Sequence, residues 1–410
     1  MKDTSHNILV LVQEFGQGGA EKVAAMVAQM LQERGRGQVY FYALNRAENV
    51  PVIEGVECGS LDIVPAGGIR GKLQTYAARI GRLRRLKQEK QIGLTISQLW
   101  PVDWISALTG SERKVAVMQI NILNNEQNKA MVRLRPLVTY IYRKFDRIVV
   151  GSSNLLPELT GFFRLPAGKL QVIYNPIDTA RIDSNRAEPL PYGLEAAYAS
   201  GHMLVAAHRL APIKNTEALL PVLAGLKGKG VKLLQIGEGE EKERLQRDAT
   251  AAGLRYTQCE SGFDPEADIY FLNFQKNIHN LIGRAAAFVF PTKGEGLPLG
   301  LLEALYSGTP ALVSDAPNGG VFEVLQGKGA WQPGRKEVEK ASGSYLMPVP
   351  DAGTPETIAA WQRQIEAVLA QPPAERARDI EAGRARARFF DKQSIQEEWY
   401  TLVDRLMRDA

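Results

Sequence analysis

Two rhythms of apolar positions alternate along this chain. Mainly apolar runs at 7–12, 39–44, 114–118, 147–150, 203–207 and 232–236, with shorter ones at 288–290 and 311–313, have the length of strands buried on both faces. Between them lie stretches of helical spacing: Val23, Met26, Val27, Met30 and Leu31 recur at i, i+3, i+4, i+7 and i+8, and the helix they predict stops at Gly35. Further helices are predicted at 155–163, 217–226, 242–252 and 355–369, with a basic helical tail beyond. Strand followed by helix, repeated, is the signature of an α/β fold with doubly wound parallel sheets. The alternation pauses at 179–201, where periodicity fades and Pro189 and Pro191 occur, and it restarts at 203. That pause reads as a linker between two Rossmann-like halves, the first spanning 1–180, the second 201–375, with terminal helices over 376–410.

A chain of 410 residues is too long for one ordinary core, in keeping with two domains. Hydrophobic residues make up 45% and charged residues 23%, a globular composition that excludes a disordered or collagen-like chain. Fifty Lys and Arg against 45 Asp and Glu leave +5, a mild bias toward anionic partners that does not call for nucleic acid. Cys58 and Cys259 are far apart and have no metal-ligand spacing, which suits reduced thiols in a cytoplasm. The N-terminal apolar run is short enough to be a strand rather than a secretory signal, and no run approaches the ~20 residues of a membrane span. Any membrane contact is therefore expected to be peripheral, at the inner face of the cytoplasmic membrane.

Candidate chemistry adds to this picture at three places. A Gly-rich turn, EFGQGGAE at 14–21, joins the first strand to the first helix, where backbone N–H groups and the helix dipole can receive a phosphate; an ordinary tight turn is the competing reading. Two segments combine basic and apolar residues. The first, 71–91, has Lys72, Arg79, Arg82, Arg84, Arg85, Lys87 and Lys90 beside Leu73, Tyr76, Ile80, Leu83 and Leu86; the second, 129–147, has Arg133, Arg135, Arg143 and Lys144 beside Leu134, Leu137, Tyr140, Ile141 and Tyr142. Such helices can lie on anionic lipid, or their apolar stripes can pack on a sheet with the charges solvated. The third place is 285–315, read as strand, loop, helix and strand, with a helix starting near Pro298 and closing at Gly308. It carries two acids, Glu295 in the loop and Glu303 in the helix.

PTKGEGLPLGLLEALYSGTPALVSD, with Glu295 and Glu303 in an E-x7-E pattern, resembles the retaining GT-B glycosyltransferases known as glycosyl transferases group 1 or family 4. GQGGAEKV, VIYNPID, AHRLAPIKN and IGEGEEKERL resemble further family segments, in the family's order. The resemblance implies two Rossmann-like domains facing across a cleft, an acceptor side in the first, a nucleotide-sugar donor side in the second, and terminal helices that cross back to the first. Leaving a diphosphate builds negative charge, which calls for fixed cations and N–H donors. Arg209 and Lys214 resemble the family's phosphate-binding pair, and Gly18, Gly19, Gly296, Leu297, Leu299 and Gly300 are expected to add N–H groups. Glu303 resembles the acid that accepts from the ribose hydroxyls. Glu295 resembles the one that touches the sugar, as nucleophile, electrostatic support or hydroxyl acceptor. Phe271 and Asn273 are candidates to frame the base.

The chain departs from the family pattern twice. His208 stands before Arg209 where the family usually has glycine, and could crowd a phosphate or donate to it. The usual first-domain His is not evident after the strand at 114–118, and Gln119 and Asn121 occupy that place; with His208 they are the sugar or acceptor candidates. His6, His202 and His279 have no partners at ligand spacing, so no metal site is expected, and no cofactor beyond the nucleotide-sugar substrate. The leading expectation is hexosyl transfer from a UDP-sugar, with GDP-mannose next, to a glycan acceptor, lipid-linked in view of the basic helices, in surface polysaccharide or lipopolysaccharide synthesis. The alternatives are a GT-B-like sugar-nucleotide epimerase, a two-domain sugar-binding protein, and a dehydrogenase, for which no GxGxxG appears.

Overall fold

The computed structural model describes residues 7–408 apart from 17, 120–122, 124–128, 318, 330 and 333. The chain divides into two compact units, residues 1–176 with 392–410 and residues 177–391. The first unit opens with β1 (Asn7–Val12), α1 (Gly19–Arg34), β2 (Val39–Asn45), β3 (Glu57–Ile63), α2 (Gly68–Glu89), β4 (Ile92–Gln98) and α3 (Trp100–Ala107). It continues through β5 (Arg113–Met118), α4 (Lys129–Arg133), α5 (Arg135–Tyr142), β6 (Arg147–Val150) and β7 (Leu170–Val172). Its seven strands run parallel in the order β3-β2-β1-β4-β5-β6-β7. Leu9, Val10 and Leu11 of the central β1 are fully buried, as a strand covered on both faces requires. α1 begins without a side-chain cap at Gly18 and ends at Gly35, whose φ of 69° lets its N–H reach the Gln32 carbonyl.

The second unit begins with α6 (Thr179–Arg186) and α7 (Leu194–Ala199), followed by β8 (His202–Ala207), α8 (Leu219–Gly225), β9 (Val231–Ile236), α9 (Lys242–Ala251), β10 (Tyr256–Gln258) and β11 (Ile269–Leu272). Then come α10 (His279–Ile282), β12 (Ala287–Phe290), α11 (Leu299–Ser307), β13 (Ala311–Ser314), α12 (Gly320–Gln326), β14 (Glu339–Ala341), β15 (Ser344–Met347), α13 (Pro355–Leu369) and α14 (Pro373–Arg388). The sheet order is β10-β11-β9-β8-β12-β13-β15-β14, parallel except for the antiparallel β14–β15 pair. α15 (Lys392–Arg408) returns to the first unit.

Two expectations change here. The stretch 179–201 is no bare linker: Asp178 caps α6 by accepting from the Arg181 N–H at 3.0 Å, and Ile182, Leu194 and Ala197 are buried. Helices of six and eight residues are too short to show a periodic stripe. The tail also divides, because α14 stays with the second unit, where Arg376 donates to the Ala286 carbonyl at 2.7 Å and Arg386 to that of Glu323 at 2.8 Å.

Candidate active site

Open parallel sheets bind ligands beyond the carboxyl ends of their strands, where the strand order reverses direction. In the second unit that point lies between β8 and β12. The loop after β8 carries His208, Arg209 and Lys214; the loop after β12 carries Thr292 and Glu295 and leads into α11. Lys293 N–H donates to the Ile213 carbonyl at 2.8 Å and Asn215 donates to that of Pro291 at 3.0 Å, so the two loops form one body.

At its centre Lys214 Nζ donates to Glu295 Oε1 in a partly buried ion pair, and the Thr292 hydroxyl donates to the same oxygen at 3.2 Å. The Lys214 ammonium also lies 5.4 Å from the centre of the Phe290 ring. A carboxylate held by a lysine and a hydroxyl is fixed in direction, able to support positive charge or accept from a hydroxyl. Gly320 of α12 is packed against this loop: a Cβ there would land on the Gly296 carbonyl oxygen.

Arg209 is set apart from this pair. Its side chain is 67% exposed and donates to Glu240 at 2.9 Å, on the turn after β9. Gly237 and Gly239 of that turn have positive φ and lie directly on the His208 and Leu210 carbonyls, so any Cβ would collide with backbone. The glycines thus bring the Glu240 carboxylate to Arg209.

α11 starts after Pro298 with no side chain capping its N–H groups. Its first turn places Leu299 and Gly300 at the carboxyl end of β8, where a Gly300 Cβ would lie 3.5 Å from the Ala207 carbonyl oxygen, an ordinary contact. Gly296 and Leu297 are buried just before it. Glu303 lies one turn further along, its Oε1 3.8 Å from Nε2 of the buried His279. Asn185 of α6 donates its amide to His279 Nδ1 at 3.1 Å, which leaves the ring hydrogen on Nε2, facing Glu303.

The structure thus brings Lys214, Glu295, Gly296 and the head of α11 together, and it corrects one expectation. Phe271 is 2% exposed, in the hydrophobic core and edge-on to Tyr256 at 5.8 Å, so it is not a surface for a base. Asn273, at the end of β11, accepts from Lys242 at 2.6 Å and its N–H donates to Glu260 at 2.7 Å. Sequence reading missed Thr292, His279 and Gly320. The three-residue spacing of Thr292 and Glu295 was an available signal for the first; His279 and Gly320 meet their partners only through the fold.

The first unit reverses its strand order between β1 and β4. After β1, Gly18 begins α1, and the Glu21 carboxylate folds back over this turn, where a Gly18 Cβ would meet it. Burial raises the Glu21 pKa. Gly18 therefore already faces a carboxyl group, and Gly19 is the first residue of α1. After β5, Gln119 is buried and donates to Gln98 Oε1 at 3.4 Å. A Cβ on Gly151 would lie 3.2 Å from Gln119 Oε1 and 3.3 Å from Asn175 Oδ1, so three amides converge at the ends of β4 to β7. Asn121 and His6 lie outside the described residues. Among the described residues, no cluster of three or more His, Cys, Asp or Glu is placed to hold a metal ion.

Comparison with known proteins adds the following. Residues 17–181 match the family model described as Glycosyltransferase Family 4, and residues 197–333 the model described as Glycosyl transferases group 1. The putative glycosyltransferase EpsF of Bacillus subtilis is 32% identical over 174 residues, 42% of this chain and 40% of EpsF. The first relatives matched, EpsF among them, are covered over only 40% to 57% of their own lengths. N-acetylgalactosamine-N,N'-diacetylbacillosaminyl-diphospho-undecaprenol 4-alpha-N-acetylgalactosaminyltransferase of Campylobacter jejuni is 25% identical over 319 residues, 76% of this chain and 81% of that enzyme. The crystal structure of Anabaena HepE in complex with UDP and glucose aligns at a TM-score of 0.71 with 16% identity, over 97% of this chain and 99% of HepE.

Proposed function

The chain belongs to the group 1 and family 4 glycosyltransferases and has the GT-B fold, and from that premise we propose that it transfers a sugar, with retention at the anomeric carbon, from a nucleotide-sugar donor to a glycan acceptor. The observation that carries this reading is the meeting of Lys214, Glu295 and the uncapped head of α11 at the strand-order reversal of the second unit. In the proposal Lys214 and Arg209 neutralise the diphosphate, the first N–H groups of α11 add the helix dipole to the same charge, and Glu303 accepts from the ribose hydroxyls. Glu295 faces the sugar. A diphosphate would compete with Glu295 for Lys214, so donor binding frees this carboxylate for the reacting sugar. No resident cofactor is part of the reading.

A UDP-sugar is the favoured donor, supported by the UDP complex of HepE; GDP-mannose is second. A lipid-linked acceptor, at the inner face of a membrane and in surface-glycan synthesis, is supported by the diphospho-undecaprenol in the name of the Campylobacter relative. Exposed apolar residues on α2 and α5, with exposed basic residues on α2 and just after α5, support it too. The test is a nucleotide-sugar panel read by thermal unfolding. A true donor at 100 times its dissociation constant stabilises the protein by ~2.7 kcal/mol. Glu303→Ala is expected to weaken that donor by about tenfold or more, through loss of charged hydrogen bonds. A panel without any stabilising nucleotide sugar would sink the proposal.

A further inference from the structure

His208 directly precedes Arg209 at the end of β8, with its ring centre 5.6 Å from that of Phe290. Lys214 lies over the same Phe290 ring, so imidazole, phenyl ring and ammonium form one cluster beside Glu295. The His208 Nδ1 is 3.1 Å from the Arg209 carbonyl oxygen. A carbonyl only accepts, so Nδ1 carries the ring hydrogen and Nε2 carries a lone pair. The residue as a whole keeps some exposure, yet Nε2 itself is enclosed and has no hydrogen-bond partner among the described residues. A buried polar atom without a partner is costly, and a site where one persists is suited to a ligand that completes it.

The chemistry of that ligand follows from the tautomer. A phosphate oxygen is an acceptor and gains nothing from a lone pair. For Nε2 to donate, the ring would have to abandon the Arg209 carbonyl or take a second proton. Burial first, and the nearby Lys214 charge second, push the imidazole pKa down to about 3, so the second proton is excluded at neutral pH. The group that fits is a neutral hydroxyl. We propose that His208 is a specificity-determining residue that accepts a hydrogen bond at Nε2 from a hydroxyl of the transferred sugar, and is not a further phosphate ligand. This rests on the donor-binding reading of the same site.

The test compares the full-length protein with His208→Leu, which fills the space without an acceptor, and His208→Gln, whose Oε1 reaches a position close to that of Nε2. Dissociation constants are measured by calorimetry for UDP, GDP, UDP-glucose, UDP-galactose, UDP-N-acetylgalactosamine and GDP-mannose. For the sugar nucleotide that wild type binds best, His208→Leu is expected to lose about tenfold to a hundredfold in affinity. Affinity for the matching nucleoside diphosphate should change less than about twofold, and His208→Gln should recover most of the loss on the sugar nucleotide. Equal losses for sugar nucleotide and diphosphate, or no loss in either, overturn the hydroxyl assignment while leaving the donor reading intact. A wild type that binds nothing in the panel overturns the donor reading and the assignment with it. If His208→Leu melts far below wild type, the Gln variant decides: retained preference for the sugar nucleotide supports the assignment, and a loss equal to that on the diphosphate overturns it.

Discussion

Single atoms decide how this site is held. Gly320 has room for no side chain because the Gly296 carbonyl occupies the place of its Cβ, and the obstacle is backbone. Gly18 is tight for a different reason, since its neighbour is the movable end of Glu21, and its φ of −74° suits any residue. Gly320→Ala is therefore expected to destabilise the second unit by about 1–3 kcal/mol, the usual cost of overpacking. It should also weaken sugar-nucleotide binding by displacing the loop that carries Glu295. Gly18→Ala should stay within about 0.5 kcal/mol of wild type. Chemical denaturation with calorimetry on both variants checks this, and a Gly320→Ala protein with wild-type stability and affinity would show that the loop is not braced by α12.

At the level of elements, α2 answers in part the question its sequence left open. Leu83 and Leu86 pack inward, as a stripe on a sheet should, whereas Ile69 and Leu73 are 82% and 66% exposed and Tyr76 is exposed beside Lys72. The basic residues do not all face solvent either: Arg79 and Lys87 are buried, Arg79 donating to Asn45 Oδ1 and Lys87 paired with Glu112. If α2 meets a membrane, as proposed, the first turns of the helix are the part that reaches it. Wild type is expected to bind vesicles of phosphatidylglycerol and phosphatidylcholine, and Lys72→Glu with Leu73→Ser to weaken that binding by about fivefold or more, at ~1 kcal/mol per basic residue near the surface. Wild type that ignores such vesicles, or variants that bind unchanged, would remove α2 from the membrane. Among the described residues, no helix is long and apolar enough to cross one. The same elements show what the sequence made legible. The βα alternation and the start of α11 at Pro298 could be read because long buried strands and helix ends leave local marks. β4 could not, since Thr95, Ser97 and Gln98 are polar yet buried and disguise the strand as a loop. The pairing of Lys214 with Glu295 spans 81 residues and that of His279 with Asn185 spans 94. Such contacts follow from sheet order, which no local pattern prints.

On the scale of the whole chain, the last helix ties the carboxyl terminus to the first fold. The chain enters the second unit at Ile177 and leaves it at Asp391, and these two points lie side by side: Ile177 N–H donates to the Phe390 carbonyl at 2.8 Å, and the Thr179 hydroxyl to Asp391 at 2.6 Å. Beyond them α15 packs on α1. Tyr400 donates to the Met30 carbonyl at 2.9 Å, Lys392 pairs with Glu33 at 2.9 Å, and Asp404 accepts from Arg34 and Arg36. Trp399, Leu402, Val403 and Leu406 are buried, so the apolar face outweighs the ion pairs, which are exposed on their arginine side. Trp399→Ala is expected to cost about 3–5 kcal/mol, and Asp404→Asn no more than ~1 kcal/mol. Deleting 392–410 removes several such side chains at once, a loss comparable with the whole stability of a domain of this size. Hydrogen exchange followed by mass spectrometry reads the two units separately. The deletion should strip protection from β1, β2 and α1 while β12 and β13 keep theirs. Full protection of α1 in the shortened protein would mean that the first unit folds without its returning helix, and that α15 is an appendage to it.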